Sequence, residues 1–183
     1  IIDIQQWFDL PAELPGVALQ IMTISCQLSP DDDHSEVKDQ LQRDLTSTRF
    51  NRSVVSGFRS LALLVSSGRC ANVGDDGVYG IGEAILRNPS FQGWDVRHSV
   101  NLELSRIAAK QRDFARTMRH LEAAMQAFQS PQTLVMVIQI LIDAGRTDLA
   151  WEFLQDAKEA RHYLHPFLAR QCKQDLEKIE SAL

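Results

Sequence analysis

Apolar residues recur along most of this chain at the spacing of helices, and the segments between them carry helix start and stop signals. Pro30 and the acidic run Asp31, Asp32, Asp33 supply a cap and negative charge for a first helix turn. Val37, Leu41 and Leu45 then stand four apart, with Lys38, Gln42 and Arg43 on the other face. Asn51 to Ser53 can cap a second helix, whose apolar set is Val54, Val55, Phe58, Leu61, Ala62, Leu64 and Val65 and which ends at Gly68. Ala71 to Gly77 reads as a loop, and a helix over about Asp76 to Arg87 is stopped by Asn88 and Pro89. Trp94 or Asp95 opens a helix to about Gln111, and Arg112 and Asp113 turn into another that ends near Phe128. Ser130 and Pro131 cap and open the next, Gly145 separates Leu134 to Ala144 from Thr147 to Arg161, and His165 with Pro166 opens the last. In that last helix Phe167, Leu168, Cys172, Leu176 and Ile179 point inward and Lys173, Glu177 and Lys178 outward. The pattern predicts an all-α protein.

Residues 1–30 read differently. Trp7 and Phe8 are followed by Pro11, Pro15 and Gly16, and the apolar stretch Val17 to Ile24 alternates imperfectly, so a buried strand and a short helix both stay open, the helix preferred. The expectation is an irregular N-terminal segment over 1–30, degenerate helical pairs over 31–93, and regular pairs with a terminal capping helix over 94–183. Ile1 in place of Met, with no signal-peptide pattern after it, is read as the start of a piece of a larger protein, and the aromatic pair suits either a core or a juxtamembrane collar. The longest apolar stretch, Leu134 to Ile142, is nine positions, about half a bilayer span.

Composition narrows the classes. The chain has 183 residues, with 19 Lys and Arg against 24 Asp and Glu and a formal net charge of −5. A chain of this size buries roughly 70% of its unfolded surface without needing disulfides or metals. Scattered cations in a mildly acidic chain argue against nucleic acid and against an anionic membrane surface. Cys26, Cys70 and Cys172 stand far apart without metal-ligand spacing and are read as small buried hydrophobes, with a Cys26–Cys70 bridge in an oxidising compartment as the alternative.

The chain is self-similar at a shift of 33 residues, which lays Leu104 on Val137, Ile107 on Ile140, Ala108 on Leu141, Leu121 on Leu154 and Ala124 on Ala157. In "GRTDLAWEFLQDA", Gly145 stands at the turn, Ala150 and Ala157 at small crossing positions and Leu154 at the bulky one; "RDFARTMRHLEAA" departs, with Arg112 for Gly and Thr117 for Ala. Over about Trp94 to Arg161 the chain resembles the tetratricopeptide-repeat family. That resemblance implies a right-handed solenoid of antiparallel helix pairs, a capping last helix, and binding of extended peptide segments on the concave side. The whole also resembles the soluble C-terminal regions of bacterial polytopic membrane proteins of glycan assembly, of the O-antigen ligase and protein O-glycosyltransferase types, which implies a periplasmic location, with the cytoplasm as the alternative.

Motifs for chemistry are weak. Gly77, Gly80 and Gly82 imitate part of a phosphate loop but lack its spacing and the following Lys-Ser/Thr, so they read as glycines for close packing. Asp31, Asp32, Asp33 and His34 lack the alternation of a calcium loop, and His162 and His165 are separated by a helix start, so no metal site is expected. His98 and His120 read as exposed repeat-face histidines, or as proton donors to Glu103 and Glu122. Cys70 beside Arg69 is the cysteine best placed to react. Asn51-Arg52-Ser53 matches a glycosylation acceptor by chance. No catalytic residue and no cofactor are expected.

What remains is binding. The family resemblance places the candidates on the first helix of each pair: Arg97, Asn101 and Arg106, then Gln132 and Gln139, with Asn101 placed to hold ligand backbone. The expected function is a protein-interaction or scaffolding module whose partner is a protein or peptide, a membrane-embedded part of the same chain included. The alternative is a substrate-positioning domain of a membrane-embedded glycosyltransferase or ligase, in which the loop Ser67 to Gly77 contributes residues.

Overall fold

A computed structural model describes residues 15–28, 35–70, 73–160 and 166–181. Among these residues the chain is all-α, with nine α-helices and no strand. They are α1 (Pro15–Leu28), α2 (Ser35–Leu45), α3 (Arg52–Ser66), α4 (Gly74–Arg87), α5 (Trp94–Lys110), α6 (Phe114–Ala127), α7 (Pro131–Asp143), α8 (Thr147–Ala160) and α9 (Pro166–Glu180), with a 3₁₀ turn at Pro89–Phe91. The local signals act where they stand. Asn51 accepts from the Ser53 amide, Asp113 from Arg116 and Ser130 from Thr133, each satisfying an amide that the first turn of a helix leaves open. Asn51, in the glycosylation-like triplet, is therefore the α3 cap.

The N-terminal segment needs correction. Its described part, Pro15–Leu28, is a helix rather than irregular. Pro15 occupies a helix start, where its missing N–H costs nothing. Leu19, Met22 and Cys26 then form a buried stripe at helical spacing against α3. Trp7, Phe8, the run Asp31 to His34, and His162 with His165 lie outside the described residues.

Packing sorts the helices into two rows. α1 packs on α3, α3 on α5, α5 on α7 and α7 on α9, while α4, α6 and α8 each lie beside the odd helix preceding them, and α2 packs on α4. Contacts advance in step between α3 and α5, from Arg59–Glu103 to the Val65 carbonyl with Lys110, so these two helices run parallel. Between α5 and α6 they run in opposite order, Trp94 with Phe128, His98 with the Ala124 carbonyl and Asn101 with His120. The core divides at α5. Val96, Val100, Leu104 and Ile107 join a cluster built with α1 to α4, and Leu102 and Ala109 join one built with α6 to α9.

Residues 33 apart occupy matching environments. Leu104 and Val137, Ile107 and Ile140, Leu121 and Leu154, and Ala124 and Ala157 are all at most 1% exposed. The two hairpin turns also match: Arg112 (φ 58°) and Gly145 (φ 74°) take the left-handed conformation, and the next amide bonds back across the helix end, Asp113 to the Ala108 carbonyl (2.9 Å) and Arg146 to Leu141 (2.8 Å). Gly68 (φ 73°) closes α3 the same way, with Arg69 bonded to Leu64 at 2.9 Å.

Cys26 and Cys70 form a disulfide, both buried, with Cα atoms 5.1 Å apart. This overturns the reading of them as separate hydrophobes and that of Cys70 as a reactive thiol. The bond ties the end of α1 to the α3–α4 connection across 44 residues of sequence. Cys172 is buried on α9.

The glycines of α4 are helical and serve packing. Gly77 lies against Lys38 and Gly80 against Gln42, both on α2, while a Cβ on Gly82 would meet Leu104 Cδ2 at 2.6 Å and Phe58 Cζ at 2.8 Å. Leu104 and Phe58 are fully buried and have nowhere to move. Gly82→Ala is expected to cost about 2 kcal/mol through overpacking. Gly80→Ala meets only the mobile end of Gln42 and is expected to be neutral or to gain up to about 1 kcal/mol from helix propensity. Urea midpoints at constant slope check both, and equal effects at the two sites would contradict the assignment.

Candidate functional site

The five sequence candidates do not form one surface. Arg97 and Arg106 are nine residues apart on α5, which at 100° per residue puts them half a turn apart, on opposite sides of the helix. Asn101 is 3% exposed and its amide is committed inside the protein, so it is not placed to hold a ligand's backbone. Arg106 lies beside Glu103, with its Nη1 at 2.9 and 3.0 Å from the two carboxylate oxygens. Gln132 and Gln139 are exposed on one side of α7, and Gln139 donates to Asp143. α7 is otherwise sandwiched between α5, α8 and α9, as its nearly uniform apolar sequence requires.

Asn101 belongs to a polar chain that joins α4, α5 and α6 where the two hydrophobic clusters meet. Its Nδ2 donates to the Arg97 carbonyl (2.7 Å), which turns Oδ1 toward His120 Nδ1 (2.8 Å). Nδ1 is therefore the protonated nitrogen, and Nε2 accepts from the Tyr79 hydroxyl at 2.6 Å. Arg119 donates to the Tyr79 oxygen (2.8 Å) and to Glu83 (3.3 Å), and the Arg116 guanidinium lies 5.0 Å from the Tyr79 ring centre. Glu83 Oε1 stands 3.6 Å from His120 Nε2.

Burial chiefly, then the Arg119 and Arg116 charges, lowers the His120 pKa to about 4, against the pull of Glu83. Burial and Glu83 raise the Tyr79 pKa, against the same two arginines. Both groups are thus neutral near pH 7, and the chain works as a fixed string of hydrogen bonds. The expected exposed histidines are corrected accordingly. His120 is 3% exposed and meets neither Glu103 nor Glu122, and His98 is half-buried against the Ala124 carbonyl and the Phe128 ring.

Tyr79, Glu83, Arg116 and Arg119 escaped the sequence reading. The four-residue spacing of Tyr79 and Glu83 and the adjacency of Arg119 and His120 were visible, but the meeting of α4 with α6 was not. Between α2 and α4 lies a groove of about 400 Å³ lined by Asp39, Gln42, Arg43, Gly80, Ala84 and Arg87, none of them predicted. Among the described residues no group of three or more His, Cys, Asp or Glu is placed to hold a metal, and no helix is long and apolar enough to cross a membrane. Searches of protein-family models, curated proteins and solved structures found no match to the chain.

Proposed function

We propose that this protein is a tetratricopeptide-like array of antiparallel helix pairs, a right-handed solenoid, that acts as an interaction module for protein or peptide segments. The observation that carries this reading is the recurrence, at 33 residues, of the same buried positions and the same left-handed turn in α5–α6 and α7–α8. Stacked units of this kind bury one continuous core and leave an extended row of helix faces free for a ligand. The free row here is that of the odd-numbered helices, with Arg106, Gln132 and Gln139 in it; Arg97 and Asn101 drop out for the geometric reasons above.

A disulfide persists in oxidising compartments, so the Cys26–Cys70 bond supports a place on the extracytoplasmic face of a membrane protein, the array serving a membrane-embedded part of that protein or a separate partner. Panning a random peptide display library on the purified protein tests the binding role. Sequence-related peptides are expected to be enriched and to lose at least about tenfold in affinity on Arg106→Ala with Gln139→Ala, the unfolding midpoint staying within a degree or two. Recovery of background sequences only would remove the reading.

A further inference from the structure

We propose that the face shared by α3 and α5 accepts an acidic peptide segment carrying an aliphatic side chain, an assignment that rests on the peptide-binding role above and names its partner. The first observation is a local charge imbalance. From Thr46 to Gly74 the chain holds no Asp or Glu and four arginines, Arg49, Arg52, Arg59 and Arg69, all exposed, although its overall net charge is −5. The average over the whole chain conceals this band.

The second observation is how the band is presented. Arg52, Ser56, Arg59, Ser60 and Leu63 are exposed on α3 at the spacing of one helix face, and Leu63 is 64% exposed. α5 runs parallel beside it and adds Arg106 and Lys110. The acids nearby lie lower than these cations. The Glu103 side chain is 9% exposed, bonded to Arg106 and 4.0 Å from Arg59, and Asp75 is 3.6 Å from Lys110. The Arg59 side chain is 57% exposed and that of Lys110 46%. Glu103 thus holds the two guanidiniums from beneath while their outward N–H groups stay free for a partner's carboxylates.

Charge complementarity selects an anionic partner, and the lone Leu63 among the cations gives it one apolar anchor. The packing selects a peptide over a bilayer. Odd helices pack directly on one another along their row, whereas α4 and α6 are bridged by the side chains of Tyr79, Glu83, Arg119 and His120. The tighter row is the inner side of a curved array, and a trough suits an extended chain better than a flat lipid surface.

Fluorescence anisotropy with a short labelled peptide of Asp and Glu around one central Leu tests this, against the same peptide with Lys in place of the acids. The acidic peptide is expected to bind at least about tenfold more tightly and to weaken steeply with added salt. Arg52→Glu with Arg59→Gln is expected to lower its affinity about tenfold or more, and Leu63→Ser severalfold, with unchanged thermal midpoints because all three side chains are exposed. Equal binding of the two peptides, indifference to the substitutions, or displacement of the acidic peptide by phosphatidylglycerol vesicles would overturn the assignment. Library peptides without an excess of acid would overturn it while leaving peptide binding in place, and a library that enriches nothing would overturn both.

Discussion

Reduction of the Cys26–Cys70 bond is expected to lower the unfolding free energy by about 4 kcal/mol. The bond closes a loop across 44 residues, and the loss of loop-closure entropy from the unfolded chain gives that magnitude at 25 °C. What reduction loosens is also definable. α1 is held mainly by α3, where Leu19 lies against Gly57, so the first effect falls on the α1–α3 seam rather than on α6 to α9. Urea unfolding with and without dithiothreitol measures the energy, and Cys26→Ala with Cys70→Ala gives the same comparison without reductant. Thiol labelling of the denatured, unreduced protein is expected to find one thiol per chain, on Cys172. Three thiols, or superimposable unfolding curves, would contradict the bond and withdraw the main support for an extracytoplasmic location.

The second large effect is acid loss of stability at His120. Its folded pKa of about 4 lies below the model value of 6.5, so the unfolded chain takes up the proton first as pH falls. The stability held by the neutral imidazole is fully present above pH 6.5, drains away between 6.5 and 4, and is gone below 4. The shift of about 2.5 units corresponds to about 3 kcal/mol, the side chain being 3% exposed and little screened. Protonation also takes away the acceptor that Tyr79 uses, since Nε2 then carries a hydrogen toward Glu83. His120→Gln is expected to lower stability at pH 7.5 and to flatten the decline toward pH 4, so the two stability curves converge on acidification. Parallel curves would show that His120 does not titrate in this window. Amide exchange across α4 and α6 is expected to quicken first, since their helices meet through this chain of bonds.

Both effects bear on the proposed binding face. The disulfide holds α1 against α3, whose outer residues Arg52, Arg59 and Leu63 form that face, and the His120 chain holds α4 and α6 behind α5. A loss of peptide affinity on reduction, with the α5–α9 half still folded, would place the ligand on the N-terminal part of the odd row.

The order and extent of the helices were legible to within a few residues, because the signals that start and stop them act over three or four positions. Asn51, Asp113 and Ser130 each bond an amide two or three residues ahead, Pro131 and Pro166 sit at helix starts, and Gly68 and Gly145 take the turns that end α3 and α7. The buried face of each helix was legible for the same reason, and so was the recurrence at 33 residues. The candidate site was legible only in fragments. Asn101 and Arg106 were singled out as outward groups, yet one is a buried link between helices and the other is held by Glu103. Nothing on α5 itself says which of its neighbours each polar side chain will meet.

The sequence by itself determined an all-α chain, its helix boundaries, its inward stripes and its two matching hairpins, all properties of residues within a turn or two of one another. The tertiary structure decided that Cys26 reaches Cys70, that His120 is sealed between Tyr79 and Asn101, that Arg97 and Arg106 look opposite ways, and that the arginines of α3 line up with Arg106 and Lys110. These depend on the register at which one helix packs against another, and that register is set by the collective fit of side chains far apart in sequence.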